Sequence, residues 1–350
     1  MHLHNIRALP FAMLVFASFC TELRANFISI QGFVDPANAD HGRQIYIKLK
    51  INDNNGNPLD VNALVDPGDN GRLDFSAGDG ARLGLPRLGD GTVEGAGGEA
   101  TQTDSFVNGG RNGHVTGETD ESPNFKTDVT GSATIGTGDT TTVGTQFFDS
   151  DPAGPGEVDL DYNNGIVTIY NHDQALAHSL QKLLQIELLK SPLGDYDSDP
   201  NGSAYAVNLK VGSGSFFASS PFVISPGVGR TLISPGFAAS LGLTCSGPSE
   251  TFTSELGRFT VPTANVSLTL FSAQGSQAFQ VGCLSRAQDP LNANFLGSDF
   301  LSQYNSIYIS GATSTFAASV VPEPATLPLV GGCFLALAMM QIRRRRRQAN

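Results

Sequence analysis

The 350-residue chain has no tryptophan, only four cysteines and six histidines, and 21 lysines and arginines against 33 aspartates and glutamates. Each shortage excludes something. The deficit of positive charge argues against nucleic-acid binding, which needs a basic face to meet the phosphates. The histidines are scattered and form no His-Glu-x-x-His zinc motif. There is no Gly-x-Ser-x-Gly nucleophile elbow. No glycine-rich loop precedes a helix in the manner that cradles a phosphate. What the chain does have is glycine, 40 residues of it, spread through turn-like segments. That composition predicts a turn-rich, mostly β protein. Nothing in it requires a cofactor.

The two ends read as handling signals. Residues 1–25 carry a weakly basic start (His2, His4, Arg7), an apolar run from Ala8 to Cys20 and a small residue, Ala25, at a cleavage point. This is the pattern of a secretory signal peptide, the alternative being an uncleaved anchor. Phe19 before Cys20 makes a poor lipoprotein box. At the other end Pro322-Glu323-Pro324 precedes an apolar segment, Leu327 to Ile342, and then the basic run that starts Arg343-Arg344-Arg345 and ends at Arg347. A span this short barely crosses a bilayer core of about 30 Å. Basic residues stay cytoplasmic, so the chain before the span faces outward. Removing both ends, which are net positive, leaves the segment between them more acidic than the whole-chain charge of −12.

That leaves Cys245 and Cys283 in the body. In an oxidising compartment two such cysteines pair, unless they stay as buried thiols.

Within the body, Gln44 to Ile51 alternates apolar and polar residues, a turn at Asp53-Asn54-Asn55-Gly56 follows, and Val61 to Val65 is a second apolar run. Both read as strands. Val158 to Tyr170 reads as a hairpin turning at Asn164-Gly165. Residues 86–145 are rich in Gly, Thr and acids and are expected to hold little core. Leu176, Leu180, Leu183, Leu184 and Leu188 fall at helical spacing and predict a helix over 173–190. Ser179 and Lys182 match a Ser-x-x-Lys spacing, but the helix face explains it and no Lys-Thr-Gly accompanies it. Asp195, Asp197 and Asp199 are weak calcium candidates. Pro200 where an EF-hand needs glycine favours a solvated linker.

The strongest signal is a repeat. Ala63-Leu64-Val65-Asp66-Pro67-Gly68 recurs as Phe222-Val223-Ile224-Ser225-Pro226-Gly227. An arginine follows each copy (Arg72, Arg230), and then Ala81-Arg82-Leu83-Gly84-Leu85 or Ala239-Ser240-Leu241-Gly242-Leu243. Only the second copy shows a clear closing element, Asn294-Phe295-Leu296-Gly297-Ser298-Asp299-Phe300-Leu301, with the strand Ile307-Tyr308-Ile309 after it.

Two resemblances rest on these residues. The tail resembles the PEP-CTERM sorting signal, which implies an exosortase and export machinery as partners and a Gram-negative source. It also implies an envelope or extracellular location, with membrane attachment through the C-terminus, in an exopolysaccharide or biofilm setting. The body resembles the aspartic peptidases of the pepsin and retropepsin type. This implies two closed β barrels as lobes, with Asp66, Gly68, Ser225 and Gly227 at the cleft between them. The expected organisation is a signal peptide at 1–25, an N-terminal β lobe at 26–171 and a helix and linker at 172–199. A C-terminal β lobe at 200–317 and a sorting tail at 322–350 complete it.

The chain departs from that family where the chemistry is done. Two carboxylates a few ångströms apart must share one proton, so that one activates water while the other acts as acid. Asp66 keeps the first carboxylate, but Ser225 replaces the second, and Pro67 and Pro226 replace the bracing hydroxyl residues. No tyrosine lies between Gly84 and Tyr162 to serve as a flap. Asp69, Asp74 and Asp299 are the nearby carboxylates that remain. The resemblance thus predicts a non-catalytic protein that binds a peptide or polysaccharide in the cleft. The alternatives are an active peptidase using Asp66 in an altered dyad, and a structural matrix protein.

Overall fold

In the computed structural model the described residues are 27–34, 43–69, 73–107, 114–117, 125–144, 147, 157–170, 184–190, 205–254, 257–271, 274–289, 292–311 and 314–319. The chain is mostly β, with three short helices among those residues. The strand Ile45–Asn52 shows why. Ile45, Ile47, Leu49 and Ile51 are buried on one face, and Lys48 and Lys50 are exposed on the other, the period of two that a half-buried strand requires. It pairs antiparallel with Pro58–Val65. Between them Asp53 Oδ1 accepts the Asn55 and Asn57 N–H groups. Gly56 takes φ 81°, a left-handed conformation that favours glycine.

From such a hairpin the two sequence copies follow one path. In the first, Pro58–Val65 leads through Asp66-Pro67-Gly68 toward the strand Leu73–Phe75 and helix α1, Ala77–Leu83. In the second, Phe216–Ile224 leads through Ser225-Pro226-Gly227 to Leu232–Ile233 and helix α2, Pro235–Ser240. Each helix is capped by a serine. Asp79 N–H donates to Ser76 Oγ at 3.1 Å, and Phe237 N–H to Ser234 Oγ at 3.2 Å. Such a cap satisfies an orphan donor of the first turn. Pro235 sits in that first turn, where a missing N–H is no loss.

A later strand then enters beside each loop. Thr141–Val143 runs parallel to Pro58–Val65 and antiparallel to Leu73–Phe75. Phe295–Leu296 does the same with Phe216–Ile224 and Leu232–Ile233. The Asp66 N–H donates to Val143 O at 3.0 Å, and the Ser225 N–H to Leu296 O at 3.0 Å. The closing element that looked absent from the first copy is therefore Val143-Gly144, followed by Phe147. The Phe147 N–H donates to Gly144 O just as Phe300 N–H donates to Gly297 O at the start of helix α3, Ser298–Leu301.

Residues 86–145, expected to hold little core, supply several paired strands, and Val107, Val129 and Val143 are fully buried. Thr141 and Thr142 are buried too. Their hydroxyls bond the carboxylates of Asp79 and Asp69, which is how a polar strand is tolerated inside.

The copies meet in a six-stranded sheet. The hairpin Glu157–Asp161/Ile166–Tyr170 lies beside the hairpin Ser306–Ser310/Thr315–Ser319, with Asp159 opposite Tyr308 at the centre. Phe27–Gln31 pairs on one outer edge and Leu184–Glu187 on the other. The predicted hairpin at Asn164-Gly165 forms, Gly165 taking φ 67°.

The predicted helix over 173–190 is corrected where it can be seen. Leu184–Glu187 and Leu189–Lys190 are strands, paired to Thr315–Ser319 and Tyr205–Ser213. Leu184 and Ile186 share one side of their strand, a period of two hidden inside a leucine-rich run. Residues 173–183 lie outside the described set.

Cys245 and Cys283 form a disulfide with a Cα–Cα distance of 6.2 Å. It ties the segment after α2 to the strand Gln277–Cys283 across 38 residues. In the chain-entropy picture such a bridge contributes about 3–4 kcal/mol. Among the described residues no helix is long and apolar enough to cross a membrane. The N-terminal segment 1–25, the tail 322–350, Ser179, Lys182 and the Asp195, Asp197, Asp199 series all lie outside them.

Candidate functional site

The structure brings Asp66, Gly68, Ser225 and Gly227 together. Ser225 Oγ donates to Asp66 Oδ2 at 3.0 Å, and the Gly68 N–H donates to Asp66 Oδ1 at 2.9 Å. The Gly227 N–H also bonds the carboxylate. Glycine is required on both sides of this contact. A Cβ on Gly68 would sit 2.7 Å from Ser225 Cβ, and one on Gly227 would overlap the Asp66 carboxylate. Asp66 is 3% exposed and Ser225 4%.

The parallel strands explain how two loops 159 residues apart come to face one another. Each loop hangs from the end of a strand whose next N–H is held by the entering strand. The side chain at the Asp66 or Ser225 position is thus aimed by backbone hydrogen bonds. Gln44, which the sequence did not single out, adds a further cross-link. Its Nε2 donates to Gly227 O at 2.7 Å from the start of the first hairpin.

Burial pushes the Asp66 carboxyl up to about 7, and the charge of Asp69 adds to the rise. The Gly68, Ser225 and Gly227 donors oppose it. Tyr162 lies close enough for Asp66 to push its phenol upward, behind the larger effect of burial. Its buried hydroxyl has no hydrogen-bond partner among the described residues. Tyr162 and Gln44 were not legible as site residues, because each arrives from a separate part of the chain, Gln44 just before the strand Ile45–Asn52 and Tyr162 just after Glu157–Asp161.

The other carboxylates are placed differently. Asp69 is on the Asp66 loop itself, its N–H bonded to Asp66 O and its Oδ2 accepting from Thr142 Oγ1 at 3.1 Å. Asp74 is buried on the strand Leu73–Phe75, opposite Thr142 and Thr134. Asp299 braces the second copy. Its Oδ1 accepts from Thr231 N, Thr231 Oγ1 and Phe300 N, each at 2.8 Å. Arg230 Nε lies 3.9 Å from its Oδ2, and Arg230 also pairs with Glu250 and stacks on Phe252. Burial pushes Asp299 up to about 7, against the pull of the Thr231 and Arg230 donors.

Chemically, Asp66 and Ser225 form a carboxyl–hydroxyl pair with one titrating proton. Such a pair has a base or an acid at any moment, but not both. No group of three metal-ligating side chains occurs among the described residues.

No protein-family profile and no curated protein matches the chain. Among solved structures it is similar to the crystal structure of Basic 7S globulin from soybean, at 10% identity and a TM-score of 0.44. The match covers 84% of this chain and 94% of that one. A likeness this loose assigns neither a family nor a function.

Proposed function

We propose that the protein is an exported, envelope-sorted relative of the aspartic peptidases that has lost catalysis and keeps the two-lobed scaffold to bind a peptide or glycan between the lobes. One observation carries the non-catalytic part. A serine hydroxyl, 3.0 Å from Asp66, occupies the place where the family resemblance requires a second carboxylate. The repeated strand order, the serine-capped helices and the glycines that admit the close approach support the family reading. They also argue against a matrix protein whose repeat is a coincidence. Export and sorting rest on the two end segments.

A second reading, an active peptidase with an altered dyad, has one observation in its favour. Asp69 is near enough to raise the Asp66 pKa. It belongs to the same loop as Asp66, however, whereas the mechanism needs the second acid on the opposite one.

The test is proteolysis of an unfolded protein substrate by the purified protein from pH 3 to pH 8, beside an Asp66→Asn control. No cleavage by either folded sample is expected. Cleavage that disappears in the control would establish the second reading instead.

A further inference from the structure

Phe216 and Phe217 are adjacent and exposed, at 63% and 57%. They begin the strand Phe216–Ile224, whose far end is buried. Ser213 lies opposite Phe216 and Gly212 opposite Phe217, so the pair stands at the tip of a hairpin that turns through Gly214-Ser215. Gly214 takes φ 60°, as so tight a turn requires. Successive residues of a strand point to opposite faces, and the tip is therefore apolar on both. The Phe217 ring is held in place. It lies across Gly212, where a Cβ would overlap it, and Lys210 Nζ sits 5.0 Å from its centroid.

A single exposed apolar side chain is ordinary. Leu88 is one, 66% exposed in a segment that also holds Arg87 and Asp90. The phenylalanine pair has different surroundings. The mutually paired strands Tyr205–Ser213, Phe216–Ile224, Gly257–Thr269 and Gln277–Cys283 contain no aspartate or glutamate, and their only charged residues are Lys210 and Arg258. In a chain of net charge −12, these strands carry positive charge alone. An apolar tip beside a lysine, on a sheet without acids, suits the boundary between lipid headgroups and acyl chains. A second copy of the chain suits it less, because like charges would meet on both the basic sheets and the acidic bodies. The sequence also brings lipid near. Ser319, the last described residue, is followed eight positions later by the start of the apolar segment Leu327 to Ile342. Eight extended residues span at most about 29 Å, so a bilayer holding that segment is within reach of the body at high effective concentration.

We propose that the hairpin tip is a second membrane contact, at which Phe216 and Phe217 enter the headgroup boundary of a lipid bilayer and Lys210 meets its phosphates. The inference rests on the reading of the tail as a membrane segment and is independent of the reading of the Asp66–Ser225 pair.

The absence of tryptophan supplies the test. Phe217→Trp places a single indole at the tip, and Leu88→Trp places one at an exposed site away from it. Each full-length variant is reconstituted with vesicles of phosphatidylcholine and phosphatidylglycerol, four to one, and recovered by flotation. Indole emission in the Phe217→Trp protein is expected to shift to shorter wavelength with lipid and to be quenched at least twofold by brominated acyl chains. Emission in Leu88→Trp should do neither. Adding Phe216→Ser to Phe217→Trp should at least halve the quenching while the protein still floats, and adding Lys210→Glu should reduce it too. Flotation with an unquenched indole at 217 overturns the docking and leaves the tail reading standing. Absence of flotation overturns both. Equal quenching at 88 and 217, or a shift at 217 that follows protein concentration without lipid, also overturns the proposal, the latter in favour of contact between two copies.

Discussion

The loop at Asp66 and the loop at Ser225 are built alike and equipped differently. Both leave a strand through an x-Pro-Gly turn, both have their first N–H held by the entering strand, and both lead to a serine-capped helix. Yet one carries a carboxyl and the other a hydroxyl, and Asp69 on the first is matched in the turn by Val228 on the second, each donating its N–H to the loop's leading residue. The backbone of a repeat is fixed by hydrogen bonds that many side chains allow. Its chemistry depends on one or two positions that those bonds do not constrain. The second copy has spent its polar side chains on bracing, with Arg230, Glu250, Thr231 and Asp299 in one cluster and a disulfide behind α2.

That contrast can be broken experimentally. Replacing Cys283 by Ser removes the covalent brace of the second copy. It should lower stability by about 3–4 kcal/mol in chemical denaturation, with no counterpart in the first copy. Gly227→Ala forces a methyl group into the Asp66 carboxylate, and a destabilisation of about 3 kcal/mol is expected in the same measurement.

Ser225→Asp would make the copies match. Two carboxyls in hydrogen-bond contact cannot both ionise. The melting temperature of this variant should fall steeply above pH 7 and recover below pH 5. A flat profile would mean that the loops can separate.

Ser225→Ala removes one donor from a buried carboxylate and should cost about 1–2 kcal/mol at pH 8. The cost should be less at pH 5, where the carboxyl is protonated.

The wild type itself should show a pH dependence of stability. Asp66 and Asp299 are raised from 3.8 to about 7 in the folded chain. Between those values the folded state holds more protons than the unfolded one. Their contribution to stability is therefore complete below about pH 4 and is lost as pH rises through 7. Asp66→Asn should flatten that slope in a series of melting curves, leaving the share that belongs to Asp299.

How much of this could be read beforehand depends on what each residue's signal is made of. The strand Ile45–Asn52, the turn at Gly165 and the repeated loops were legible because pattern and turn chemistry are local, and the disulfide was one of the two readings open for the two cysteines left in the body. The closure of the first copy was hidden because Thr141 and Thr142 stand where the second copy has Asn294 and Phe295. Buried threonines whose hydroxyls find carboxylates look like loop residues in a sequence. Leu184 to Lys190 was misread because leucines at helical spacing can also alternate along a strand, and the partner Thr315–Ser319 that decides the matter is far along the chain. The contacts of Gln44 with Gly227 and of Tyr162 with the Asp66 environment are tertiary, with no local signature.

The most direct test of the Asp66–Ser225 pair is an NMR titration of the Asp66 side-chain carboxyl in the wild type and in Ser225→Ala. A single step near pH 7 is expected in the wild type, moving upward in the variant because a donor to the charged form is gone. A carboxyl that titrates near 4 and ignores the loss of the Ser225 hydroxyl would contradict the pairing and the buried site built on it.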